Sequence, residues 1–162
     1  MYKLMSALNL KKSKYQGILK FQIIQYASIC EAVIDYILEN KFKDEIGQKY
    51  ADKSYTKVSA FASDIKFQKN GKDLGVFDVS KKPKQVRYMR IGDRLEFSLE
   101  KEIISIESKT EMLSLYDLRS TVHILKATRD DYYPRLSEAK NAFLIMQRIV
   151  EEVKQYYEQQ NQ

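Results

Sequence analysis

Between residues 16 and 40, apolar groups occupy Ile18, Leu19, Phe21, Ile23, Ile24, Ile29, Val33, Ile34, Ile37 and Leu38. At helical spacing these cover most of the girth and leave one narrow polar stripe of Ser28, Glu31, Asp35 and Glu39. A helix so apolar has to be clasped by neighbours on several sides, so the rest of the chain must supply partner helices. Glu31 is expected to be a solvated member of the stripe, with partial burial as the alternative that so apolar a helix leaves open.

The remaining segments meet that demand. Tyr88, Ile91, Leu95, Leu99, Ile103 and Ile106 recur at three and four over residues 84–108, with Asp93 expected to cap the main helix after Gly92. A third helix is expected from about Glu111 to Lys126, with Leu115, Leu118, Val122 and Leu125 facing the core. The last opens at Tyr133-Pro134, since proline suits the first helical turn. Its seam reads Leu136, Ala139, Phe143, Met146, Val150, Val153 and Tyr157, widened by Ala142, Ile149 and Tyr156. Five glycines and two prolines in 162 residues leave too few turn-makers for a many-stranded β fold. A chain of this length fits one domain that buries roughly 70% of its unfolded surface. The reading is therefore all-α, one domain over residues 1–162, four helices in an up-and-down bundle.

Residues 41–83 break the helical period and form an insertion in that bundle. Asn70-Gly71 separates two short runs rich in β-branched and aromatic residues, which predicts a β-hairpin. Residues 41–94 hold fourteen Lys/Arg against seven Asp/Glu, a local balance of +7 in a chain of net charge +6. A concentrated positive field of this kind suits a polyanion. Lys81, Lys82, Lys84, Arg87, Arg90 and Arg94 are the candidate phosphate contacts.

Several chemistries are excluded by residue type. No Gly-Lys-Ser/Thr occurs, so there is no phosphate-binding loop. Residues 69–73 lack the serial carboxylates of a calcium loop. One histidine and one cysteine cannot build a structural zinc site, so neither a metal nor a cofactor is expected. Cys30 lies in an apolar helical stretch, where a thiol packs as a small hydrophobe rather than reacting. The basic segment lacks the strand signature of an RNA-recognition motif, and no helix-turn-helix with a basic recognition helix is evident. No signal peptide and no run of about 20 uninterrupted apolar residues is present, so no membrane is expected and the cytoplasm is the expected compartment.

The third helix carries the remaining candidate. On a 100° repeat, Met112, Tyr116, Arg119 and His123 form a stripe about 110° from the expected core face, at the border of core and surface. The string Leu118-Arg119-Ser120-Thr121-Val122-His123, then Tyr132-Tyr133 and a long amphipathic last helix, resembles HEPN domains. So does the long apolar first helix with Glu31 midway along it. The similarity covers the helical parts of the chain.

The resemblance implies a homodimer whose arginine and histidine meet across the interface, and metal-independent cleavage of RNA by the ribose 2′-hydroxyl. His123 would move protons, Arg119 would stabilise the phosphorane charge, and Ser120 would assist. It also implies a toxin–antitoxin or defence setting, with an antitoxin or other partner protein. The chain differs from the family pattern in a shorter Arg-to-His spacing and in Ser120, where Asn, Asp or His is favoured. It also has Leu125 where antitoxin-paired members have tyrosine. The alternative implied by the same resemblance is a non-catalytic helical module that dimerises or binds nucleic acid or another ligand.

Overall fold

The computed structural model describes residues 12–57, 67–70, 72–74, 77–122 and 132–160. Among them are five α-helices and a small antiparallel hairpin insertion. The helices are α1 (Lys12–Lys41), α2 (Lys43–Lys49), α3 (Ile91–Glu100), α4 (Ile106–Val122) and α5 (Leu136–Gln159). The described residues fall into two compact units, one running up to Leu38 and resuming at Arg90, the other spanning Glu39–Met89.

In the first unit, α1 buries Leu19, Ile23, Ala27, Cys30, Ile34, Ile37 and Leu38 completely, at the three-and-four spacing of one helical face. By length and composition α1 could also cross a membrane, but here that face lines the bundle core. Each Leu or Ile removed from water is worth about 1.5–3 kcal/mol, which makes this face the main hydrophobic contribution of α1. Tyr26 of α1 meets Phe143 of α5 edge-on, with ring centroids 5.5 Å apart. Helix α4 packs against both α3 and α5.

The expected helix over 84–108 is interrupted. A 3-10 turn at Val86–Tyr88 precedes α3, and residues 101–105 separate α3 from α4. Asp93 lies inside the first turn of α3 rather than capping it; Arg90 holds the cap position. Helix α3 stops because Glu102 enters the left-handed region at φ 55° and its N–H bonds back to Leu99. The Ile103 N–H then bonds the Ser98 carbonyl, closing the helix end in the manner of a Schellman turn. Helix α4 begins five residues earlier than expected because the Ser105 hydroxyl accepts the Ser108 N–H as an N-cap. Ile103 and Ile104 are both buried by this turn, while Ile106 is 53% exposed and outside the core.

The buried face of α5 is Ala139, Ala142, Ile145, Ile149 and Val153. Ala142 and Ile149, read as widening the seam, are therefore buried together with the seam's own Ala139 and Val153, while Leu136 and Val150 lie on its exposed flanks. Pro134 precedes the helix. The start is closed by Glu138, whose carboxylate accepts the Arg135 N–H at 2.6 Å.

In the second unit, α2 is followed by β1 (Asp52–Lys57), β2 (Phe67–Lys69), β3 (Lys72–Leu74) and β4 (Phe77–Lys82). Strands β2 and β3 pair across residues 70 and 71, the Asn-Gly site the sequence marks, and Asn70 adopts φ 53°. Outside that hairpin, β1 pairs antiparallel with β4, from Asp52 opposite Lys82 to Lys57 opposite Phe77. Among the described residues of the unit, Ile46, Val86 and Met89 are the buried apolar ones. Gly47 lets the chain after β4 pass closely: its carbonyl accepts the Lys84 N–H, and a Cβ there would lie 3.2 Å from Pro83 Cβ.

Candidate functional site

Helix α4 turns a different side to the core than its leucines suggest. Ser108, Met112, Leu115 and Val122 are buried, whereas Leu118 is only half-buried. On the 100° repeat, Arg119 falls between Ser108 and Met112 within that buried arc. The arginine therefore starts from the inward side of α4, while its side chain stays about one-third exposed, at the border of core and surface where the stripe places it. Met112, which the stripe places at the border of core and surface, is a fully buried core residue.

An inward guanidinium must be neutralised, and α1 supplies the charge. Arg119 Nη1 donates to Glu31 Oε1 at 2.5 Å, with the two side chains 32% and 19% exposed respectively. The expectation of a solvated Glu31 is thus replaced by a half-buried ion pair between α1 and α4. Asp35, one turn further along α1, receives Arg94 of α3 in the same way, with Nη1 at 2.5 and 2.6 Å from the two carboxylate oxygens. One flank of α1 therefore holds α3 and α4 by charge. The Arg119 guanidinium also lies 5.8 Å from the Tyr116 ring centroid.

Ser120 is exposed on α4. His123 and Leu125 lie outside the described residues, so the stripe ends structurally at Arg119. Tyr132 donates its hydroxyl to Glu138 at 2.6 Å, and its own burial, aided by that carboxylate, raises its pKa. Tyr133 is 58% exposed, with the Lys20 ammonium 5.8 Å from its ring centroid.

Protein-family models, curated proteins and solved structures give no match to this chain.

The six basic candidates are not equivalent. Lys81 and Lys82 are exposed at the end of β4 and Arg90 is exposed before α3. Lys84 binds both oxygens of Asp52, at 3.0 and 2.7 Å, tying β1 to the chain after β4. Arg87 donates to Gln85 and covers the Tyr88 ring at 4.9 Å. Arg94 belongs to the helical unit and is engaged by Asp35, its side chain only 12% exposed. Phosphate contact is open to Lys81, Lys82 and Arg90, and would have to compete with existing partners at the other three.

Among the described residues no group of three or more His, Cys, Asp or Glu side chains is arranged to hold a metal ion. Cys30 is fully buried on α1, and desolvation, with a smaller contribution from the neighbouring Glu31 charge, pushes its thiol up to about 12. Such a thiol is protonated at neutral pH and is a poor nucleophile. An open cleft of about 360 Å³ lies beside the α3–α4 turn, lined in part by Glu102, Ile104, Ser105, Glu152 and Tyr156. Glu152 is committed there to the Ser105 N–H and hydroxyl, at 3.1 and 2.8 Å, so it fastens α5 to the start of α4.

Proposed function

We propose that the chain is an HEPN-like helical protein that acts on RNA as a homodimer, cleaving it without metal at a site made by Arg119 and His123. The observation that carries this reading is the Glu31–Arg119 pair. The two residues by which the first and third long helices resemble the family meet each other, although 88 positions separate them in sequence. Glu31 holds Nη1 and so presents the remaining edge of a planar, permanently charged fork to a phosphate. His123, with an imidazole that titrates near pH 6.5 when unperturbed, would take the 2′-hydroxyl proton as that oxygen attacks phosphorus. The partner's His123 would protonate the 5′-oxygen as the P–O5′ bond breaks, leaving a 2′,3′-cyclic phosphate. Ser120 is exposed beside Arg119 in sequence and could donate a hydrogen bond. The setting would be a cytoplasmic toxin–antitoxin or defence system, with an antitoxin-type partner protein.

A second reading has its own support. Arg119 lies on the inward arc of α4, neutralised by a half-buried carboxylate, as a structural arginine would be. The chain would then be a non-catalytic helical module. Labelled single-stranded RNA incubated with EDTA separates the two. Cleavage to cyclic-phosphate ends, lost by about 10²–10⁴-fold in His123→Ala and impaired in Arg119→Lys, supports the nuclease. Intact RNA across pH 5–9, or a strict monomer of 19.1 kDa by light scattering, favours the module.

A further inference from the structure

The β1–β4 ribbon presents two chemically different faces. Side chains alternate along a strand, and directly opposed residues of an antiparallel pair share a face. Lys53 opposite Lys81 and Tyr55 opposite Val79 therefore lie together on one side. All four are exposed, Tyr55 by 62% and Val79 by 53%. The other side carries Asp52 opposite Lys82, Ser54 opposite Ser80 and Thr56 opposite Asp78. Asp52 there also receives Lys84. One face is thus cationic and apolar, while the other mixes both signs of charge, with Asp52 already engaged by Lys84.

Two features of the first face are unfavourable in an isolated ribbon. Like charges directly opposite each other repel, and a large ring beside an aliphatic side chain stays in water. Both features are satisfied by a ligand that brings phosphates to the lysines and a flat π surface to the ring. The surrounding unit has matching charge: Glu39–Met89 holds twelve Lys/Arg and seven Asp/Glu, a balance of +5 out of the chain's +6.

We infer that the Lys53–Tyr55–Val79–Lys81 face of the β1–β4 ribbon is a binding site for single-stranded RNA. Lys53 and Lys81 take backbone phosphates and Tyr55 stacks on an unpaired base, with Val79 flooring the contact. A duplex cannot offer that base face, and an acidic peptide offers the charge without the stack. The choice of RNA rests on the proposed function, whereas the face itself does not. Residues that the sequence groups together are thereby separated, because Lys82 lies on the opposite face of the ribbon and Lys84 is tied to Asp52.

The test is fluorescence anisotropy with a labelled 2′-O-methyl RNA of mixed sequence and about 12 nucleotides, within the length a small single-strand site covers. This probe cannot be cleaved through its 2′-oxygen, so binding is read whether or not the protein is a nuclease. Lys53→Gln and Lys81→Gln should each flatten the salt dependence by about 0.7 log unit of affinity per log unit of salt. Tyr55→Ala should weaken binding about tenfold with the slope unchanged, the signature of lost stacking rather than lost charge. Lys82→Gln should alter the slope much less than either lysine of the proposed face. The inference is overturned if Lys82→Gln matches Lys53→Gln, if Tyr55→Ala binds as wild type, or if a duplex or a polyglutamate competes as well as the single strand. Binding of the probe as expected, with unmodified RNA of the same sequence left uncleaved, would sink the nuclease reading and leave this face standing.

Discussion

Glu31 on α1 accepts a hydrogen bond at 2.5 Å from Arg119 on α4, and both side chains are about two-thirds or more withdrawn from solvent. One turn along the same flank, Asp35 repeats the arrangement with Arg94. These two pairs join α1 to α4 and α3, and they define the first experiment.

Removing one member of a fully buried pair costs about 3–5 kcal/mol, whereas exposed pairs contribute about 0–1 kcal/mol. With their intermediate exposure, Glu31→Gln and Arg119→Gln should each cost about 1–3 kcal/mol in urea denaturation, discounted for solvent screening. The double variant should cost less than the sum of the singles, since neither leaves an unpaired charge behind. Additive singles would mean the two side chains do not act as a pair.

Alkaline stability should fall through the range set by Cys30. Its folded pKa is raised from 9.0 to about 12, so the fold retains a proton that the unfolded chain releases. That contribution is complete below about pH 9 and is lost as pH rises toward 12. Tyr132, also raised, acts in the same direction. Cys30→Ala should remove part of the slope of urea stability against pH above 9. At pH 8 a thiol reagent should label Cys30 only as fast as the protein opens. Rapid labelling of native protein would contradict the burial.

Glu102 occupies the left-handed conformation at the end of α3, where glycine is the usual residue. A side chain there costs roughly 1–2 kcal/mol, and glycine loses about 0.5–1 kcal/mol of that gain to the unfolded chain's freedom. Glu102→Gly should therefore raise stability by roughly 0.5 kcal/mol, and Glu102→Val should lower it. Thermal melts of the three proteins read the order directly, and a glycine variant less stable than wild type would contradict this account of the turn.

Phe97 is fully buried in α3, while Phe21 is 64% exposed on α1. Truncation of Phe97 to alanine should cost about 3–5 kcal/mol, through lost transfer energy and an unfilled cavity. The same change at Phe21 should stay within about 0.5 kcal/mol. Equal costs at the two positions would place the core elsewhere.

The helical class, the long first helix and the Asn70-Gly71 turn are legible from local sequence, because propensity and hydrophobic period act over a few residues. The inert character of Cys30 is legible for the same reason: it falls at helical spacing from Ala27 and Ile34, on the apolar face that is buried. Strand β1 was not, since Lys53, Tyr55 and Thr56 are exposed and no apolar alternation marks it. The break between α3 and α4 was hidden because Ile103 and Ile106 continue the helical spacing, although a left-handed Glu102 interrupts the helix between them and α3. The rotation of α4 was decided by tertiary structure. Its leucines and its Met112–Arg119 stripe give two candidate inner faces, and the choice depends on what α1 offers opposite. Glu31 lies 88 positions away in the chain, so no local pattern could announce that Arg119 would turn inward to meet it. Likewise the two faces of the ribbon exist only once β1 and β4 are paired in register, because that register puts Lys53 opposite Lys81 rather than opposite Asp52's partner, Lys82.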